Sequence, residues 1–399
     1  MISGKMYRFR ANSSLLLPSF LALCLRGEEA QAAINRMKTG SSESGLNLTQ
    51  ERFSGLHLRF GTIAEQQKVI AKVDELMALC ARLEAARAER EAARDRLAAG
   101  SLARLNAPVP ETFADDARFA IEALPALTAR PDQIKQLRQT ILNFAVRGRL
   151  VKQVESDESA YALLKLLTSA RKARNRSCAV LREGTELYEI PESWCWATLD
   201  QLVVEGPQNG VSPKPSTRPD APKSITLTAT TSGTFNPDHF KRVDLAVSPD
   251  SELWLRDGDL LFQRGNTREY VGMAAIYRGS ARNFLYPDLM IRVRVSPDVS
   301  LRYVHMVSIA PPARAYLSSS ATGAQLTMPK INQTTLVALP IPLPPLEEQE
   351  RIVSKVDALL ALCDSLEAKL IEADALRRTA LDSLLSEALE PADALEKAA

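Results

Sequence analysis

Two stretches decide the architecture: EQQKVIAKVDELMALCARLEA at residues 65–85 and EQERIVSKVDALLALCDSLEA at residues 348–368. They agree at 12 of 21 positions with an offset of 283 residues, so the chain carries an internal repeat. At the same offset Thr39-Gly40 falls on Thr322-Gly323, Leu48-Thr49-Gln50 on Ile331-Asn332-Gln333, and Phe20 on Tyr303. One residue out of register, YRFR (7–10) matches IRVR (291–294), which extends the repeat from Tyr7 to Ala85. In both stretches apolar residues step by 4, 3, 4 and 3, the spacing of coiled-coil core positions. The first seam is Val69, Val73, Leu76, Cys80 and Leu83; the second is Ile352, Val356, Leu359, Cys363 and Leu366. Long helices follow, with Gly100 weakening the first and Pro108 and Pro110 ending it. A weaker match of LRQTILNFAVRGRL (137–150) to LRRTALDSLLSEAL (376–389) adds a further helix, and DESAYALLKLLTSARKAR (157–174) reads as an amphipathic one.

The repeat also disposes of a misleading N-terminus. Lys5, Arg8 and Arg10 followed by apolar Leu15–Leu25 imitate a secretory signal. Pro18 interrupts that stretch, and its counterpart at Leu301–Leu317 lies inside the chain, so it reads as the tail of a folded domain.

Outward from the helices the pattern changes. Ile225, Leu227 and Ala229 alternate with threonines, and Ile291, Val293 and Val295 alternate with Arg292 and Arg294, which predicts strands. Gly and Pro punctuate 206–216 and 256–266. The fold class is α+β: a globular mixed α/β domain flanked by long helices that form an antiparallel coiled coil. The expected division is 1–62, 63–186, 187–345 and 346–399. Trp194 and Trp196 alternate on a strand, positioned either to stack on bases or to anchor the domain on adjoining helices.

The 399 residues are 45% hydrophobic and 25% charged, and 50 Lys/Arg against 48 Asp/Glu leave a net charge of +2 that names no partner. The five Cys form no C-x-x-C pair, which gives no zinc or disulfide framework and suits a cytoplasmic chain. No apolar run reaches the roughly 18 residues of a membrane span. There is no G-x-x-x-x-G-K-[ST] phosphate loop, no G-x-G-x-x-G loop and no Asn/Asp-Pro-Pro-Tyr/Phe methyltransferase motif. Glu367-Ala-Lys369 has a nuclease-like spacing but sits on the seam helix without an acidic partner nearby in sequence. Residues 260–345 carry nine Lys/Arg against three Asp/Glu, whereas 187–259 are net acidic, so the domain is polarised with one basic side suited to a polyanion.

An ordered set of segments carries a resemblance: IPESWCWATLDQL (190–202), LRDGDLLFQRGN (255–266), VGMAAIY (271–277), TGAQLTMPKINQTTL (322–336) and LPIPLPPLEEQERIVSKVDALL (339–360). In this order they closely resemble the specificity subunit of type I restriction-modification systems, over about residues 7–399. The resemblance implies a target recognition domain at 187–345, with most of a first recognition domain absent from this sequence. It implies a noncatalytic chain that binds double-stranded DNA and directs adenine methylation and restriction by partner subunits. Those partners are two modification (methyltransferase) subunits and restriction (motor-nuclease) subunits, and S-adenosylmethionine, ATP and Mg belong to them. Self-association of the chain is a further expectation. The first copy departs from the pattern by replacing Pro340, Pro342, Pro344 and Pro345 with His57, Arg59, Gly61 and Thr62, which implies a looser entry into its helix.

Sequence reading needs donors and acceptors against base edges, and backbone contacts to fix register. The candidates are Asn209, Ser212 and Lys214 in one loop, Gln263, Arg264, Asn266 and Arg268 in a second, and Gln325, Lys330 and Asn332 in a third. The competing reading is a noncatalytic coiled-coil scaffold whose globular domain binds protein, with no sequence-dependent affinity for DNA.

Overall fold

The computed structural model describes residues 8–38, 48–106, 112–172, 186–322 and 328–389. The expected break at Pro108 and Pro110 lies outside them, as does Gln325. The chain divides into two units, 1–96 and 97–399, described in turn.

The first unit holds helices α1 (Pro18–Arg26), α2 (Glu28–Met37) and α3 (Gln50–Ser54) and most of α4 (Ile63–Asn106). Gly100 does not interrupt α4, because the helical backbone there is unstrained and open space surrounds the missing side chain. The second unit holds the rest of α4, then α5 (Phe113–Glu122), α6 (Leu124–Leu127), α7 (Pro131–Val146) and α8 (Ala160–Lys172). There follow β1 (Cys195–Thr198), α9 (Leu199–Leu202), β2 (Val203–Asn209), β3 (Lys223–Ile225), β4 (Phe240–Arg242), β5 (Leu260–Gln263), β6 (Ala274–Ile276), β7 (Phe284–Leu285) and β8 (Met290–Val295). The chain closes with α10 (Leu301–Ile309), α11 (Pro311–Ser319), α12 (Gln333–Val337), β9 (Pro340–Leu343) and α13 (Leu346–Leu389).

The repeat is structural as well as sequential. At the offset of 283, α1, α3 and α4 fall residue for residue on α10, α12 and α13, and α2 starts where α11 starts. The apolar stretch there is helical from Pro18, which stands in the first turn, where a missing N–H costs nothing. One side chain sets each frame. Buried Gln349 accepts a hydrogen bond from Ser300 N (3.0 Å) and donates to Pro344 O (2.9 Å). Its counterpart Gln66, also buried, accepts from Leu17 N (2.8 Å) and donates to Gly61 O (2.9 Å), the same two positions less 283. Where Pro345 has become Thr62, the entry is not loose. Thr62 N donates to Glu65 Oε2 (2.7 Å) while Thr62 Oγ1 accepts from Glu65 N (3.3 Å), a capping box in place of the prolines. Those bonds hold the Glu65 carboxyl below its ordinary pKa.

In the second unit a four-stranded antiparallel sheet runs β2-β8-β5-β6, flanked by a three-stranded sheet β4-β3-β7 and the pair β1-β9. Strand alternation divides the core. Leu260, Phe262, Ile291 and Val293 join the large core with Tyr303, Val304, Ile352 and Val356 from α10 and α13. Leu261 and Met290 face the other way, into a smaller core with Ile225, Tyr277, Phe284 and Tyr286. The expected strand through Ala229 stops at Ile225. Leu227–Thr230 is a 3₁₀ turn, with the Thr230 and Thr231 hydroxyls folding back onto Leu227 O.

The long-helix expectation is met in both copies, but the seams differ in surroundings. Ile352, Val356 and Cys363 are buried, and Leu359 and Leu366 pack on the same core. Arg138 of α7 bonds Asp364 (2.6 Å) and Glu367 (2.7 Å) of α13, so Glu367 is a structural anchor. In the first copy Val69, Leu76, Cys80 and Leu83 are exposed and Val73 is half-buried. Trp194 fastens the sheet region to α13. It is buried, donates Nε1–H to Glu348 Oε2 (3.1 Å) and meets Tyr303 edge-on, while Trp196 lies edge-on to Tyr188.

Candidate nucleic-acid interface

The C-terminal ends of β2 and β5 and the N-terminal end of β8 lie side by side, since Asn209 pairs with Ile291 and Gln263 with Met290. The chain leaving each of them is tied to the others. Gly210 N donates to Met290 O (3.3 Å), Val211 N to Tyr286 O (3.0 Å), and Arg264 N to Leu289 O (2.7 Å). The segment before α12 joins through Ile331 N to Arg264 O (2.9 Å) and an antiparallel bridge between Gly265 and Lys330. Three loops far apart in sequence thus form one end of the sheet.

That end gathers most of the candidate residues. Half-buried Asn209 accepts from Gln333 Nε2 (3.1 Å) through Oδ1. Exposed Ser212 bonds the Asp288 carboxylate through its hydroxyl. Arg264 is half-buried, with one guanidinium N–H on Asp288 O (3.4 Å). Lys330 and Asn332 are exposed, and Asn332 caps α12 by accepting from Thr335 N (2.7 Å). The side chain of Lys214 is exposed while its carbonyl accepts from Asp244 N (2.8 Å). Arg268 sits further out on the turn leading to β6, tied to α11 by a bond to Ser318 O (3.4 Å).

Gln263 is a correction. Its side chain is fully buried, donating to Leu227 O (2.9 Å), Thr230 Oγ1 (3.0 Å) and Thr231 Oγ1 (3.3 Å), and accepting from Asn266 Nδ2 (2.6 Å). With donors and acceptor all engaged inside, it joins two loops and offers nothing to a base edge. Asn266 is committed likewise: its Oδ1 accepts from Thr267 N (2.7 Å), a turn-forming contact.

Sequence reasoning missed the charged scaffold that runs from the middle of this sheet toward its opposite end. Arg292 and Arg294 of β8 reach Asp259, which is fully buried: Arg294 Nε lies 2.5 Å and Arg292 Nη1 3.9 Å from its carboxylate. Arg292 also bonds Gln208 and Arg294 bonds Glu205, so β2, β5 and β8 are cross-linked by charge. Burial alone would lower the Arg294 pKa, but Asp259 and Glu205 hold it above its ordinary value. The alternation of Arg292 and Arg294 in the sequence was the available signal. It indicated a strand without indicating that its polar face is covered. Among the described residues no group of three or more His, Cys, Asp or Glu is placed to hold a metal, and no helix is long and apolar enough to cross a membrane.

This sheet end thus presents amides, hydroxyls and cations on loops fixed by backbone bonds, and the same unit carries the 44-residue α13. Residues 315–373 match the family model of the type I restriction modification DNA specificity domain, from within α11 to about two thirds of the way along α13. The chain is 25% identical over 393 residues to the type I restriction enzyme EcoEI specificity subunit of Escherichia coli, covering 95% of this chain and 66% of that one. Against the EcoKI specificity subunit of Escherichia coli strain K12 it is 25% identical over 299 residues, 71% of this chain and 57% of that one. The chain therefore spans less than two thirds of the length of these relatives. The crystal structure of the HsdS subunit from Thermoanaerobacter tengcongensis aligns with 94% of this chain and 71% of its own at 16% identity and a TM-score of 0.39.

Proposed function

We propose that this chain is the noncatalytic DNA-recognition subunit of a type I restriction-modification complex. The observation that carries the reading is the convergence of Asn209, Ser212, Arg264, Lys330 and Asn332 on one end of the β2-β8-β5-β6 sheet. Amide and hydroxyl groups suit base edges in the major groove, and Lys and Arg suit phosphates. Lys214 and Arg268 extend the cationic surface along the same loops. Two methyltransferase subunits dock on the long helices and supply S-adenosylmethionine chemistry; restriction subunits supply the ATP- and Mg-dependent steps. The complex works in the cytoplasm. Each 44-residue helix measures about 66 Å at 1.5 Å per residue, enough to hold two half-sites apart. Self-association of two chains would supply a second reader.

Co-expression with the methyltransferase subunit, followed by sequencing of the host genome for methylated adenine, tests this. The expected result is one methylated motif, altered or lost when Arg264 and Lys330 are both changed to Ala. A motif with two specific halves means that a second reader is present. A genome without methylated adenine overturns the proposal in favour of the protein-binding scaffold.

A further inference from the structure

Beside the reading end, on the far side of Arg268, an open groove of about 840 Å³ runs between α7, the turn after β3, the β5–β6 turn and α11. Its charged lining is unbalanced. Lys135, Arg268 and Arg314 face a single carboxylate, Glu269. Lys135 approaches that carboxylate only at 3.9 Å, with both side chains mostly exposed. Arg268 has a backbone carbonyl for a partner, and Arg314 has two, Val271 O (2.7 Å) and Glu269 O (2.8 Å). Carbonyl dipoles satisfy guanidinium N–H groups without neutralising the charge. Burial lowers the Arg314 pKa to about 10, so it remains a cation at neutral pH. Thr228 adds a hydroxyl to the lining, while the hydroxyls of Thr231, Ser232 and Ser318 donate to the Leu227, Thr234 and Arg268 carbonyls and firm the walls.

The walls are held in place. Arg314 ties down the carbonyls on either side of Tyr270, and Ser318 Oγ donates to Arg268 O (3.1 Å). Gly272 has a positive φ of 75°, and a Cβ there would lie 2.8 Å from Leu317. The β5–β6 turn is thus pressed onto α11 with its cationic edge outward.

We infer that this groove is a phosphate clamp. It grips the sugar-phosphate backbone of a DNA duplex whose bases meet the neighbouring sheet end, and α7 contributes to the grip through Lys135. The inference rests on the proposed DNA-recognition function and adds to it a sequence-independent contact. Its charged groups are chiefly cations, which match phosphate oxygens in any sequence. Its position next to Arg264 and Lys330 lets one duplex span both surfaces.

Each lost phosphate contact lowers the slope of log K against log salt by about 0.9. The test measures the binding of the full-length chain to a short random-sequence duplex across a salt series, with Lys135→Ala, Arg268→Ala, the double variant, and Arg378→Ala on exposed α13 as control. The double variant is expected to lose about 1.8 from the slope and to weaken cognate and random duplexes by the same factor, with Arg378→Ala unchanged. An unchanged slope in the double variant overturns the clamp, as does a loss confined to one sequence. Thermal melting of each variant separates unfolding from lost contact, and Lys135→Arg restoring the slope is the converse check. A chain that keeps its methylation motif but shows no slope change sinks the clamp alone. A chain with no sequence preference sinks the recognition function itself.

Discussion

Gln349 and Gln66 each close two backbone gaps with one buried amide, which is why this residue recurs at the head of both long helices. Truncating Gln349 to Ala strands the Ser300 N–H and the Pro344 C=O, and leaving such groups unsatisfied costs about 1–3 kcal/mol each. Urea unfolding of Gln349→Ala is expected to show a lowered midpoint, and an unchanged midpoint would remove the lock from the argument. His305 gives a pH dependence. Its Nε2 donates to Gly233 O (2.9 Å) and Ala274 O (3.2 Å), and burial lowers its pKa from the ordinary 6.5. Below pH 6.5 the unfolded chain takes up a proton that the folded chain refuses, so stability falls as the pH falls. Replacing His305 by Gln should flatten that slope between neutral pH and the lowered pKa; a slope that persists would place the titration elsewhere. At this scale the sequence was an uneven guide. The polar character of Gln263 was plain, but its burial depends on Leu227 and Thr230, some 35 residues away, and no local pattern reports that.

Among the elements, α7 ends where the sheet region begins. Gly148 follows its last turn in the left-handed conformation (φ 68°), and a Cβ there would lie 2.4 Å from Pro191 Cγ and 3.1 Å from the Trp194 ring. Gly148→Ala therefore meets a backbone penalty of about 1–2 kcal/mol and overpacking of about 1–3 kcal/mol. Its expected signature is a lowered unfolding midpoint with weaker near-ultraviolet Trp signal; a wild-type midpoint would contradict the close approach. The helices themselves were legible, because their seams step at coiled-coil spacing and repeat at a fixed offset. Strands were less so. Ile225, Leu227 and Ala229 alternate well enough for a strand, yet the threonine hydroxyls find Leu227 O and turn the chain after three residues. The side-chain bond to a local carbonyl competes with ladder pairing and wins there.

For the whole molecule, the exposed first seam marks where a partner is expected. Val69, Leu76 and Leu83 are each about half exposed, so charging two of them disturbs little in the chain alone. Leu76→Lys with Leu83→Lys is expected to change stability by less than about 0.5 kcal/mol per site while abolishing co-purification with the methyltransferase subunit. Retained co-purification would direct the search for the docking surface elsewhere. The composition of the candidate site was readable as three polar loops, but their meeting on one sheet end was not. It depends on β2, β5 and β8 being neighbours, a pairing set by tertiary packing.

The paired glutamine locks have a consequence for inheritance. Since one amide fixes the start of each long helix against the same two backbone positions, the segments at 65–85 and 348–368 are interchangeable parts. Recombination between their coding stretches would join helix to helix without a change of register. The stretch of chain between them could then be gained, lost or exchanged while the start of each long helix kept its lock.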